Sequence, residues 1–320
     1  MGHKSSKQLT TSHKILMFGS NSSSKSLFIK HCHLIYKGEF TTEYAIKIKP
    51  FILKSLCNAI KEIIQFIKTS NKALYGSTIS KTAWFTLKKA CSDNVKLCLQ
   101  MTKHICDLWN DNEFKKGYLH LLDESKRDNQ VYLLDNITRI ISDNFLPTHE
   151  DIMKFKMHSS GSFDTVFEVD DCTYTFVDVG GQRHDRKKWL DHFDDVSVIL
   201  FFVGLDEYDH PADNDKFDNK MKENLHLFED IVNNSYFTKS SVVLLVNKDH
   251  FKNKLSTSPL SNHFPEYNGK ESPEGFLINQ FRNRDHHHEN RRLFIHTHES
   301  DDTAKTQDLF QYVTRMMVKS

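Results

Sequence analysis

No run of this chain is both long and apolar. The longest apolar stretch, residues 196–205, is about half of the ~20 residues a membrane-spanning helix needs, and the start shows no apolar core of the kind a secretory signal carries. Charge of one sign is also missing: 43 basic residues face 42 acidic ones, a formal net charge of +1. That balance excludes a global field aimed at nucleic acid or at a strongly acidic partner, so partners have to be sought in local sites. Paired cysteines are absent too. Cys32, Cys57, Cys91, Cys98, Cys106 and Cys172 form no C-x-x-C and sit mostly in apolar helical stretches, which disfavours a zinc site or a secreted disulfide framework and predicts reduced thiols in the cytoplasm. With 38% hydrophobic and 27% charged residues, the composition is that of a globular chain, far from disordered or collagen-like extremes. A length of 320 residues accommodates two domains, one of them inserted in the other.

What is present changes texture along the chain. A short polar leader, 1–13, begins Met1-Gly2-His3-Lys4-Ser5-Ser6, which fits the pattern for myristoylation of Gly2, although so short a pattern also arises by chance. One acyl chain helped by Lys4, Lys7 and Lys14 predicts at most weak, reversible attachment to the cytoplasmic face of the plasma membrane. Ile15-Leu16-Met17-Phe18 reads as a buried strand entering a turn at Gly19, with a helix over 25–36. Across 40–145, apolar residues such as Phe51, Ile52, Leu56, Ile60, Ile63, Ile64 and Ile67 recur at three and four, so the block is read as one inserted all-helical domain. Strands return at 163–169, 173–179, 196–203, 241–246 and 293–296, with helices between the last three and a final helix over 306–318. This pattern predicts an α/β fold with a mostly parallel sheet covered on both faces. His286-His287-His288 within 282–292 reads as a solvated loop in preference to a metal site, because three adjacent histidines cannot all face one ion from a regular element.

Two motifs carry chemistry. Gly19-Ser20-Asn21-Ser22-Ser23-Ser24-Lys25-Ser26 matches the phosphate loop G-x-x-x-x-G-K-[ST] except that Ser24 replaces the second glycine. Between a strand and a helix, its backbone N–H groups can face phosphate oxygens while Lys25 adds a charge and Ser26 a hydroxyl for Mg2+; the alternative is a serine-rich turn ahead of a helix. The second motif, Asp178-Val179-Gly180-Gly181-Gln182-Arg183 followed by Arg186-Lys187-Lys188-Trp189, sets a carboxylate at a strand end before a flexible pair and an amide. Asp178 can hold Mg2+ through water, the Gly181 N–H can reach a terminal phosphate, and Gln182 can orient an attacking water.

The run D-V-G-G-Q-R-x-x-R-K-K-W closely resembles the switch II segment of heterotrimeric G-protein alpha subunits. The resemblance continues through Asp107-Leu108-Trp109-Asn110-Asp111, Tyr132-Leu133-Leu134-Asp135, Leu146-Pro147-Thr148, Asn233-Asn234-Ser235-Tyr236-Phe237, Ser258-Pro259-Leu260 and Phe264-Pro265-Glu266-Tyr267. It implies a Ras-like P-loop GTPase domain (14–39 and 147–320) interrupted by an all-helical domain (40–146). It also implies GTP or GDP with Mg2+ clamped between them, and signalling through a beta-gamma dimer, a receptor and an effector. A chain with only about a dozen residues before its first strand and ending at Ser320 implies reduced beta-gamma and receptor surfaces.

Several positions depart from the family pattern. Aligned on switch I, Lys156 stands where the family has an arginine and Ser159 where it has a Mg2+-binding threonine. Lysine keeps the charge but loses the planar fork, and such an arginine is worth on the order of 10³ or more in rate, so the expectation is slow hydrolysis. Asn21 and Ser24 place side chains where the backbone approaches phosphate. In Asn247-Lys248-Asp249-His250, the base-reading carboxylate of N-K-x-D is either replaced by His250 or supplied one residue early by Asp249. Thr297-His298-Glu299-Ser300 occupies the second base-reading loop, its Ser300 included. Three readings stay open: a slow GTPase switch, an adaptor that kept the fold without a nucleotide cycle, and an ATPase if His250 has taken the carboxylate's place.

Overall fold

In the computed structural model the described residues are 11–19, 25–69, 82–83, 101–122, 124–155, 163–169, 171–179, 183–212, 215–248, 250–287, 293–298 and 303–318. The elements run β1 (Thr11–Gly19), α1 (Lys25–Lys37), α2 (Thr42–Thr69), α3 (Thr102–Trp109), α4 (Asn112–His120), α5 (Glu124–Asp135), α6 (Ile137–Ile140), α7 (His149–Lys154), β2 (Phe163–Val169), β3 (Cys172–Asp178), β4 (Val196–Gly204), α8 (Lys220–Val232), β5 (Ser241–Asn247), α9 (Phe251–Thr257), α10 (Pro273–Arg282), β6 (Leu293–His298) and α11 (Thr303–Val318). They form two compact units, Met1–Gly38 with His158–Ser320, and Glu39–Met157.

The first unit is built on a six-stranded sheet of order β2-β3-β1-β4-β5-β6, in which β2 runs antiparallel to β3 and every other pairing is parallel. Alternation decides which residue goes where, because successive strand side chains point to opposite faces. Leu16, Phe18, Ile199, Phe201, Val203, Leu244 and Val246 face Leu225, Phe228 and Ile231 of α8 and Phe276, Leu277 and Phe281 of α10. Their neighbours Ile15, Met17, Val198, Leu200, Phe202, Val243 and Leu245 face Phe28, Ile29 and Cys32 of α1 and Leu309, Phe310 and Val313 of α11. Both faces are therefore covered, and the central strands are apolar where they are buried, over 15–18 of β1 and 198–203 of β4. The sheet starts earlier than its hydrophobicity suggests: β1 begins at Thr11, inside the stretch read as a leader, since backbone pairing with β3 begins at Thr11↔Cys172 whatever the side chains there.

The second unit is helical. One stripe of α2 (Ile48, Ile52, Leu56, Ile60, Ile63, Ile64 and Ile67) is buried. Phe51, grouped with that stripe by its spacing, lies on the other side at 36% exposure, since it sits about 100° around the helix from Ile52. The Trp109 indole donates to Asp135 Oδ1 at 2.7 Å and Lys115 reaches the same oxygen, which joins the two sequence landmarks of this unit. Asp111 caps α4 by accepting from the Glu113 and Phe114 N–H groups.

This unit runs on to Met157, past Leu146-Pro147-Thr148, where the sequence suggested a return to the first domain. The reason is Asp151 on α7. It is 1% exposed, accepts two hydrogen bonds from the Arg139 guanidinium at 2.6 and 2.7 Å and one from the Tyr132 hydroxyl at 2.9 Å, and closes a capping box with Thr148. Those bonds hold α7 to α5 and α6. Among the described residues the four cysteines (Cys32, Cys57, Cys106 and Cys172) are free thiols, no helix is long and apolar enough to cross a membrane, and no cluster of three metal-ligating side chains occurs. His286 and His287 lie in a turn after α10, where their N–H groups donate to Asn233 and Asp285; His288 lies outside the described residues.

Candidate functional site

In an open parallel sheet, ligands collect at the carboxyl edge where the strand order reverses. Here that point is β1, flanked by β3 on one side and β4 on the other. Register gathers the motif residues along that edge: Met17 lies opposite Asp178, Gly19 opposite Phe202, and Gly204 opposite Asn247, which in turn faces His298.

Gly19 ends β1 with φ at +133°, and a Cβ built there would lie 2.2 Å from the Phe202 carbonyl oxygen. The chain can leave the sheet this close to β4 only through a residue without a side chain. Lys25 opens α1. Its side chain turns back so that Nζ donates to the Gly19 carbonyl at 2.7 Å and stands 3.7 Å from Asp178 Oδ1. Lys25 and Asp178 are only 4% and 5% exposed. Burial lowers the Lys25 pKa, and the carboxylates of Asp178 and then Glu207 oppose that shift. Ser26, half-buried, follows in the first turn of α1. The result is an ammonium group and a carboxylate brought together across two strand ends at the start of a 13-residue helix, with a hydroxyl as neighbour. Such a place favours anions, and its oxygen donors are of the hard kind that magnesium prefers.

The stretch expected from the sequence to read the base lies further along the same edge. Asn247 ends β5; Lys248, half-buried, stands 3.8 Å from Glu274. His250 takes φ +59° as the residue that leads into α9, and is exposed. Lys254 ties α9 to the turn after β4: its Nζ donates to the Asp206 carbonyl at 2.9 Å and pairs with Asp209 Oδ1 at 2.6 Å. The Trp189 indole donates to the Val179 carbonyl, which ties the start of switch II to the turns after it.

The structure thus brings Gly19, Lys25 and Asp178 together and sets Asn247, Lys248 and His250 on the same edge. Gly2, Ser20, Asn21, Ser22, Ser23, Ser24, Lys156, Ser159, Gly180, Gly181, Gln182, Asp249 and Ser300 lie outside the described residues. Two carboxylates escaped the sequence reading. Glu207, 1% exposed, accepts from the Asn224 amide at 2.6 Å and acts electrostatically on Lys25. Asp206 has its pKa raised by burial, against the opposing effect of His210, Lys254 and His250. The only local signal for either was acidic residues directly after a buried strand.

Comparison with known proteins agrees with this geometry. The profile of the G-protein alpha subunit family matches residues 2–317. A guanine nucleotide-binding protein-like alpha-11 subunit of Dictyostelium discoideum is 37% identical over 326 residues, covering 95% of this chain and 90% of that protein. A guanine nucleotide-binding protein alpha-1 subunit of Neurospora crassa and a guanine nucleotide-binding protein subunit alpha of Sporothrix schenckii are each 29% identical, covering 96% of this chain and 88% of theirs. With a Ras-like sheet, a helical unit inserted after α1 and a lysine and a carboxylate meeting at the strand ends, the chain belongs to the G-protein alpha subunit family, whose business is guanine-nucleotide-dependent signalling.

Proposed function

We propose that this protein binds GTP and GDP with Mg2+ at the carboxyl edge of its sheet and hydrolyses GTP slowly. The observation that carries the reading is the Lys25 ammonium, buried beside Asp178 and over Gly19. A buried lysine adds little to stability that an apolar residue would not, so its presence at a strand-to-helix turn points to an anionic ligand. In this reading Lys25 meets phosphate oxygens, and the N–H groups of the turn from Gly19 to Ser26 cradle them. Ser26, Asp178 and Ser159 hold Mg2+, which when bound neutralises phosphate charge. Gln182 orients the attacking water, and Lys156 supplies a positive charge without an arginine's fork. Gly2 acylation and the beta-gamma, receptor and effector partners of the family extend the same proposal.

A second reading, an adaptor without a nucleotide cycle, is favoured by one feature: His250 leads into α9, and in one of the two alignments of N-K-x-D its imidazole stands in the slot of the carboxylate expected against guanine, the other alignment giving that slot to Asp249. Denaturing the purified protein and resolving its supernatant by anion exchange separates the two. Stoichiometric guanine nucleotide is expected; an empty trace supports the adaptor, and adenine nucleotide an ATPase. Lys25→Ala should abolish binding of labelled GTP, and unchanged affinity would remove the phosphate-loop assignment. Lys156→Arg should accelerate single-turnover hydrolysis at least tenfold, a part of the roughly 10³-fold that an arginine supplies in such sites; an unaltered rate would show that residue 156 does not reach the phosphate.

A further inference from the structure

The solvent side of α2 carries lysines at one constant spacing: Lys47, Lys54, Lys61 and Lys68. Seven residues fall about 20° short of two full turns, so the four drift by only about 60° and form a stripe about 30 Å long. Lys47, Lys54 and Lys68 are exposed and Lys61 is half-buried. The core fixes this orientation, because Ile48, Ile52, Leu56, Ile60, Ile63 and Ile67 are all buried on the other side. Five lysines oppose two glutamates in the helix, and one of those, Glu62, is held sideways by the Gln130 amide of α5.

Two large apolar side chains share the exposed surface at the start of the stripe. Ile46 is 58% exposed and Phe51 36%, with exposed Pro50 between them. Cations in a row next to exposed Ile and Phe match a helix lying in the plane of a bilayer interface. Lysine stems extend so that the ammonium groups meet acidic headgroups, while the apolar side chains enter the acyl boundary. A purely polar polyanion would answer the lysines and leave Ile46 and Phe51 in water, so charge and hydrophobicity together select lipid.

We propose that this face of α2 docks the protein on a membrane leaflet rich in anionic lipid, with Lys47, Lys54, Lys61 and Lys68 as the electrostatic contact and Ile46 and Phe51 at the apolar boundary. The inference is independent of the nucleotide site, so either can fail alone. The full-length, non-acylated protein is floated with vesicles of phosphatidylcholine alone and with phosphatidylserine-rich vesicles. Binding is expected only to the second, and it should weaken as salt screens it. Lys54→Gln combined with Lys61→Gln should lower the partition coefficient roughly 25-fold, about fivefold for each lysine near the surface. Circular dichroism of this variant should match the unaltered chain, because both side chains lie outside the core. Phe51→Ser should weaken the binding that survives at high salt. Equal partition of the double variant, or equal binding to both vesicle types, overturns the proposal. So does retention on heparin that the double variant loses while neither protein binds vesicles, which would assign the stripe to a polyanion.

Discussion

Gly19 and Lys25 do opposite things for the same turn. Gly19 lets β1 pass so close to β4 that a methyl group would meet the Phe202 carbonyl oxygen at 2.2 Å, in a backbone region that side chains disfavour. Gly19→Ala should therefore lower the unfolding free energy by about 3 kcal/mol, the sum of backbone strain and overpacking. Urea denaturation monitored on the sheet unit reads this directly, and an unchanged midpoint would mean that β1 and β4 separate without cost. Lys25, by contrast, places a charge where burial disfavours it and returns it to the Gly19 carbonyl. Under the proposed function its presence is explained by an anionic ligand and not by what it packs against.

Between residue and domain, α7 is held by the bonds of one side chain, Asp151, to Arg139, Tyr132 and Thr148. Burial alone would raise the Asp151 pKa, but hydrogen bonds from Arg139, then Thr148 and Tyr132, outweigh it and hold the carboxyl at about 2 against a model-compound value of 3.8. Because the folded pKa lies below the unfolded one, the folded state binds the proton less readily. The stabilisation is complete above the unfolded value and is lost as pH falls from about 4 to about 2. The shift corresponds to about 2 kcal/mol at neutral pH. Asp151→Asn should destabilise the helical unit by that order at pH 7 and flatten its acid-unfolding curve in this window. A variant with the parent's stability at pH 7 would show that the Arg139 pair is not what holds α7.

For the molecule as a whole, each unit has its own core, one on the two faces of the sheet and one along α2. A chain of residues 39–157 should therefore fold alone with a near-ultraviolet circular dichroism signal and one cooperative thermal transition. Dye binding without that signal would indicate a loosely packed state and a unit that needs the sheet. GDP and Mg2+ should leave this fragment's midpoint unchanged while stabilising the full chain by about 2.7 kcal/mol at a hundredfold excess over the dissociation constant.

Local pattern determined much of this protein. The period of three and four announced the helical block, and the apolar runs located five of the later strands within a residue or two. The phosphate-loop spacing and the switch II run singled out Gly19, Lys25 and Asp178, three residues that the fold brings together. Tertiary structure decided the rest, because it concerns contacts between residues distant in the chain. That Phe51 faces solvent while Ile52 is buried follows from which side of α2 meets α5. That α7 stays with the helical unit follows from an ion pair to Arg139. Asp178 meets Lys25, and Phe202 demands a glycine at 19, only because β3, β1 and β4 lie side by side in a particular register. Backbone hydrogen bonding between strands sets that register, and no periodicity within a single strand encodes it.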